Sequence, residues 1–131
     1  MNAVVQVDFS DQFSIEYSRF DLDQRKMVLQ FIALVQQHGL QDFSIFPGKV
    51  TPSWKNASPD DEAYARFHEL WHYHVGYPEY EEKEHGLYMV SDWLLHFQWK
   101  KDEERIILVD MYEHWKADGS FYLPPEKYLE Q

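Results

Sequence analysis

Three stretches of this 131-residue chain alternate apolar and polar residues with period two, and in each a histidine falls on the polar side. Side chains on a strand point alternately to its two faces, so such stretches have one face for a core and another for something else. In Arg66 to Val75 (RFHELWHYHV), Phe67, Trp71, Tyr73 and Val75 share one face, and Leu70, His72 and His74 the other. Two residues apart, His72 and His74 would lie roughly 7 Å from each other along the strand, aimed the same way. Ser91 to Trp99 repeats the plan, with Trp93, Leu95, Phe97 and Trp99 opposed to Asp92, Leu94, His96 and Gln98. In Arg105 to His114 the same rule puts Ile107, Val109 and Met111 on one side and Ile106, Leu108, Asp110, Tyr112 and His114 on the other. A sheet with a core face and a histidine-bearing face is the expectation. Asp110, set in an apolar strand, is expected to be hydrogen-bonded, either orienting His72 or His96 or taking part in chemistry.

A helix should cover the core face. Asp21 followed by Gln24 has the spacing of a capping box, and LDQRKMVLQFIALVQQH carries Met27, Phe31, Leu34 and Val35, flanked by Val28 and Ile32, at helical spacing. Gly39 supplies the ending. Packed on the odd-numbered faces, this helix should bury Trp71, Tyr73, Trp93, Leu95, Phe97, Val109 and Met111. Residues 3–9 read as a first strand, and residues 10–20 as an adjoining strand or a loop. Residues 40–62, with Pro47, Gly48, Pro52, Asn56 and Pro59, read as mostly loop and turn. Residues 76–88 should form an acidic connection, Lys100 to Glu104 a short polar hairpin, and Asp118-Gly119 a turn before the tail. The fold class expected is α+β: an N-terminal strand and helix on a twisted, mainly antiparallel sheet, as a single domain over residues 1–131.

Composition narrows the function classes. With 44% hydrophobic and 18% aromatic residues, the chain can build a core and is not a disordered tail. It has no cysteine, so disulfides and thiolate metal sites are excluded. No signal peptide or membrane-length apolar run is present, which leads to the expectation of a soluble, cytoplasmic protein without a membrane partner. The net charge of -11 opposes simple electrostatic attraction to nucleic acid. The acids cluster, at Asp60 to Glu62 and from Glu79 to Glu84, while Lys49, Lys55, Arg66, Lys100 and Lys101 lie elsewhere.

The order strand, helix, long loop and antiparallel run of three strands resembles the RelE-like toxins of type II toxin–antitoxin modules, most nearly their YafO family of ribosome-dependent mRNA interferases. The residues carrying the likeness run from Gln30 to Trp115. They comprise the helix ending QQHGLQDF, the loop FPGKVTPSW, and the strands RFHELWHYHVG, SDWLLHFQW and IILVDMYEHW. The resemblance implies mRNA lying across an open sheet face on the ribosome, where a ribose 2′-hydroxyl attacks the adjacent phosphate. It also implies a cognate antitoxin protein as partner, and no cofactor or metal. Within it, His72, His74, His96 and His114 would be the acids and bases, being the side chains that titrate near neutral pH. Tyr112 would donate to phosphate or stack on a base. Lys49, Trp54, Lys55, Arg66, Lys100 and Lys101 would contact RNA and its phosphates, Arg66 or Lys100 holding the anion. The chain departs from those toxins in being acidic and in offering histidines where RelE uses lysines and arginines.

Two other classes stay open on the residues alone. His-x-His on a strand with a later histidine or carboxylate can hold zinc or iron. An acidic, aromatic-rich domain can also be a non-enzymatic inhibitor, an immunity protein or nucleic-acid mimic.

Overall fold

A computed structural model describes residues 5–55, 57–75, 81–82, 89–90, 93–113 and 123–129. The fold is α+β. Strand β1 (Gln6–Phe9) is followed by helices α1 (Asp11–Tyr17) and α2 (Leu22–His38), strand β2 (Val50–Pro52) and helix α3 (Pro59–Phe67). Strands β3 (Leu70–His74), β4 (Glu81–Glu82), β5 (Met89–Val90), β6 (Trp93–Lys100) and β7 (Arg105–Glu113) complete it. The main sheet has the order β1-β7-β6-β3-β2, and β4 and β5 pair as a separate two-stranded sheet among the described residues. β1 runs parallel to β7, whereas β2, β3, β6 and β7 are antiparallel neighbours. Among the described residues no helix is long and apolar enough to cross a membrane.

Helix α2 starts where the capping box predicts. Asp21 accepts from the Gln24 amide at 2.8 Å and the Gln24 side chain accepts from the Asp21 amide at 3.1 Å, so two orphan donors of the first turn are satisfied. It ends at Gly39, whose φ of 71° a side chain would disfavour. Val28, Phe31 and Val35 form its fully buried stripe. The Phe31 ring stacks on Tyr73 at 4.8 Å and packs against Phe97 at 5.4 Å, which ties the helix to the middle of the sheet. Asp21→Ala should lower stability by about 1 kcal/mol, the usual worth of such a cap, readable as a shifted urea midpoint with an unchanged slope.

Residues 11–17 are helical, although Phe13, Ile15 and Tyr17 also fit a strand pattern. The helix prevails because Ser10 caps the Phe13 amide at 3.2 Å, and because the spacing of Phe13 and Tyr17 lets both rings meet Phe9 and Phe20. Ile15 is left exposed. A second correction concerns residues 59–67, expected as loop running into strand, which form α3. Ser58 caps the Asp61 amide, Pro59 occupies the first turn, and Asp60, Asp61 and Glu62 face the positive end of the helix dipole. Arg66 and Phe67 therefore belong to a helix, and Phe67 is 80% exposed rather than in the core. Glu69, at φ 56°, turns the chain from α3 into β3, and its carbonyl accepts from the Trp99 amide at 3.0 Å.

The predicted faces of β3 and β6 hold, but β7 carries a bulge. His96 pairs with Asp110 and Phe97 with Leu108, leaving Val109 as the extra residue. An extra residue reverses the alternation beyond it. Met111 thus shares the α2-side core with Ile106 and Leu108, whereas Ile107 and Val109 lie in a second cluster with Ala65, Leu70 and Leu129. Val109 is buried as expected but on the opposite side of the sheet, and Trp93 is only half-buried. Lys100 still belongs to β6, and the expected hairpin is a short helical turn over Lys101–Glu103. His114 and the Asp118-Gly119 turn lie outside the described residues.

Candidate functional site

The register β2-β3-β6-β7 sets Thr51, His72, His96 and Asp110 side by side across four strands. This row lies on the face away from α2. Ser53, just past β2, holds its hydroxyl 2.9 Å from His72 Nδ1. The His72 ring stands 5.6 Å from His74 on its own strand and 5.6 Å from His96 on the next. His96 Nδ1 is 2.9 Å from Asp110 Oδ1. A carboxylate accepts, so His96 carries a proton on Nδ1 and directs Nε2 away from Asp110. The bulge opposite His96 is what aims Asp110 at that ring, as bulges beside functional side chains commonly do.

These side chains do not form an open surface. His72, His74, Ser53 and Asp110 are buried, and His96 is 0% exposed. Below the row, Leu70, Ile107 and Val109 are covered by Ala65 of α3 and by Leu129 of the C-terminal segment. The open face implied by the resemblance is therefore closed at this level. Burying a carboxylate costs desolvation that one hydrogen bond only partly offsets, so the His96–Asp110 contact is weak evidence of a purely stabilising role.

His68, which the strand pattern does not reveal, caps α3 and is buried against Tyr64 and Phe67. Burial lowers its pKa below the ordinary histidine value. Its carbonyl accepts from Gln98 Nε2 at 3.1 Å. Around Asp110 three further groups are perturbed. Burial, aided by the charges of Glu126 and Asp110, pushes Tyr64 up to about 12. Burial and the Glu16 contact push Tyr128 to about 12. Glu16 on α1 is raised mainly by desolvation, partly offset by the hydrogen bond from Tyr128 Oη at 3.1 Å, while its Oε2 is buried with no hydrogen-bond partner.

Glu16 yields a pH prediction. With a raised folded pKa, the folded chain holds the proton at pH values where the unfolded chain has released it. The resulting stability is full below the ordinary value of 4.5 and is lost as pH rises through the folded pKa. Above its folded pKa the half-buried Glu16 carboxylate is charged against its desolvation, and glutamine would replace it without charge. Glu16→Gln should melt higher than the unaltered chain at pH 7, with the gap closing in acid. An equal difference at both pH values would rule out this origin.

The other sequence candidates divide between two regions. Tyr112 is 49% exposed, beyond Asp110 on β7, with its ring 5.9 Å from Trp93. Lys101 Nζ sits over Trp99 at 4.6 Å and over Trp71 at 5.2 Å. Trp71 belongs to the α2-side core, so this cation is across the sheet from the histidines. Trp54 packs edge-on against Trp71 at 5.6 Å, and the Arg66 guanidinium lies 5.3 Å from the Trp54 ring centre while paired to Glu62. Lys100 is paired to Glu69 at 2.9 Å. Lys49 is half-buried, its carbonyl accepting from the His74 amide, and Lys55 is exposed. Trp54, Arg66 and Lys101 thus share one row of indoles, Trp54 at its end also packing against the second cluster.

Among the described residues, no group of three or more His, Asp or Glu side chains is arranged to hold a metal ion. His72 and His96 turn their Nδ1 atoms to Ser53 and Asp110 instead. Compared with known proteins, the chain matches no family model, no curated protein and no solved structure.

Proposed function

We propose that the chain is a ribosome-dependent mRNA-cleaving toxin of a type II toxin–antitoxin module, acting in the cytoplasm and held in check by a cognate antitoxin protein. The observation that carries this reading is the row Ser53–His72–His96–Asp110, with His74 beside it. Supporting it is the element order, a strand and helices followed by a long connection and an antiparallel run of β3, β6 and β7. Cleavage by an internal 2′-hydroxyl needs a base to take its proton and an acid to protonate the leaving oxygen. Two imidazoles 5.6 Å apart, each held at Nδ1 by a fixed neighbour, are suited to those two tasks. The ribosome would supply the cationic surroundings that a chain of net charge -11 lacks.

The burial of the same imidazoles favours a second reading, a non-enzymatic acidic inhibitor that binds a basic protein through its surface carboxylates. Expression separates the two. The toxin reading expects growth arrest with transcripts cut within ribosome-bound reading frames and little cleavage of free RNA. Harmless expression with intact transcripts would remove it and leave the inhibitor.

A further inference from the structure

Two indoles meet at an angle on the α2 side of the sheet. Trp71 of β3 and Trp99 of β6 lie 4.9 Å apart with their planes inclined by 68°. Phe43, in the helical turn Phe43–Ile45, packs against both, at 5.8 Å and 6.2 Å. The Lys101 ammonium stands over this corner, 4.6 Å from the Trp99 ring centre and 5.2 Å from that of Trp71. Among the described residues Lys101 has no salt bridge and no side-chain hydrogen bond, so the rings alone hold its charge. A recess of 290 Å³ adjoins the corner, lined by Trp99, Lys101 and the buried Val5 and Leu40. Glu104 lines it too. The Glu104 amide donates to the Lys101 carbonyl at 3.2 Å across one short turn, yet the two side chains are not paired.

We infer that this corner and recess form a binding site for a small quaternary ammonium compound, with Lys101 as the resident stand-in that the ligand displaces. Indole faces attract a cation through the ring quadrupole. A primary ammonium placed there gives up hydrogen bonds to water that the rings do not return, whereas a trimethylammonium head has no N–H to satisfy. Lys101 is exposed, and by swinging outward on its flexible stem it recovers full hydration. The methyl groups of the ligand then meet the indoles, and the Glu104 carboxylate supplies an opposite charge in the same recess. A trimethylated lysine on another protein carries the same head. The recess, at the small end of ligand pockets, favours a free compound of choline size.

The site is independent of the mRNA-cleaving reading, and its test measures binding alone. The full chain is titrated with choline chloride against a matched sodium chloride blank, by calorimetry and by the indole N–H signals in NMR. The Trp71 and Trp99 signals should move, and that of Trp93, beside Tyr112, should stay. The uncharged carbon isostere of choline has the same shape and should bind about tenfold more weakly, since it lacks the charge the rings attract. Lys101→Ala removes the competing ammonium and should tighten choline binding about fivefold, the worth of one exposed cation–aromatic contact. Glu104→Gln should weaken it about threefold, the scale of one exposed charge pair. Both substitutions lie on an exposed turn and leave the aromatic corner in place. Equal binding of the isostere would reduce the site to an apolar recess and overturn the inference. Unchanged or weaker binding by Lys101→Ala would do the same, because Lys101 would then not be a stand-in. So would the lack of any choline binding, at millimolar concentration, by both the unaltered chain and Lys101→Ala. A trimethyl-lysine peptide that bound more tightly than choline would overturn the assignment to a small compound.

Discussion

Phe97→Ala is expected to lower the unfolding free energy by about 3–5 kcal/mol, the range for deleting a fully buried aromatic ring. Phe97 is fully buried at the centre of the sheet, and its ring meets Phe31 of α2 at 5.4 Å. Phe31 in turn contacts Tyr73 and Phe46, so the ring lies in an aromatic group that joins helix, loop and two strands. These neighbours sit on three different elements and cannot all collapse into the vacated space. Phe97 also follows the residue at which the β6–β7 register shifts, where the strands have little freedom to slide. The check is a urea titration of both proteins. A midpoint that barely moves would mean the aromatic group does not hold α2 on the sheet.

The parts of this fold legible in the sequence are those where one periodicity runs unbroken. β3 and β6 keep a strict two-residue alternation, so Trp71 and Tyr73 fall on the core face and His72 and His74 on the other, as read. β7 shows the limit of that rule. Nothing in RIILVDMYE marks Val109 as an extra residue, because a bulge is a property of the pairing with β6 and not of β7 alone. The start of α3 was visible in principle, as Ser58-Pro59 followed by three acids is a helix beginning, but the surrounding prolines point towards loop. Once Phe67 is assigned to a strand, its exposure and the role of His68 are both hidden. The packing of the C-terminal segment was beyond reach for another reason: it joins Glu16 to Tyr128 and Tyr64 to Pro124, pairs far apart in the chain that no local pattern couples. Of the site itself, the meeting of His72 with His96 follows from strand spacing once the register is known. That Asp110 meets His96 rather than His72 follows from the strand order, and that it is Asp110 rather than Val109 follows from the bulge.

His72→Gln and His96→Gln are each expected to lower mRNA cleavage by about 10²–10⁴-fold, the usual contribution of one positioned proton transfer. Glutamine keeps a polar group of similar reach but cannot take or give a proton near neutral pH. At position 96 its amide can still donate to Asp110, so the buried carboxylate is not left alone and folding should survive. At position 72 its amide can likewise bond the Ser53 hydroxyl. His74 offers the contrast, because its ring touches the row only through His72 among the described contacts. Its replacement separates a catalytic histidine from one that merely packs beside it. Each variant is to be compared by thermal melt and by growth arrest, with activity scaled to the folded fraction. For a structural histidine, activity falls only as far as the folded population does. For a catalytic one it falls by orders of magnitude at an unchanged melting temperature. If His72→Gln, His74→Gln and His96→Gln all remained folded and fully toxic, proton transfer would have to come from outside this row, and Tyr112, the exposed candidate at its edge, would become the next position to replace.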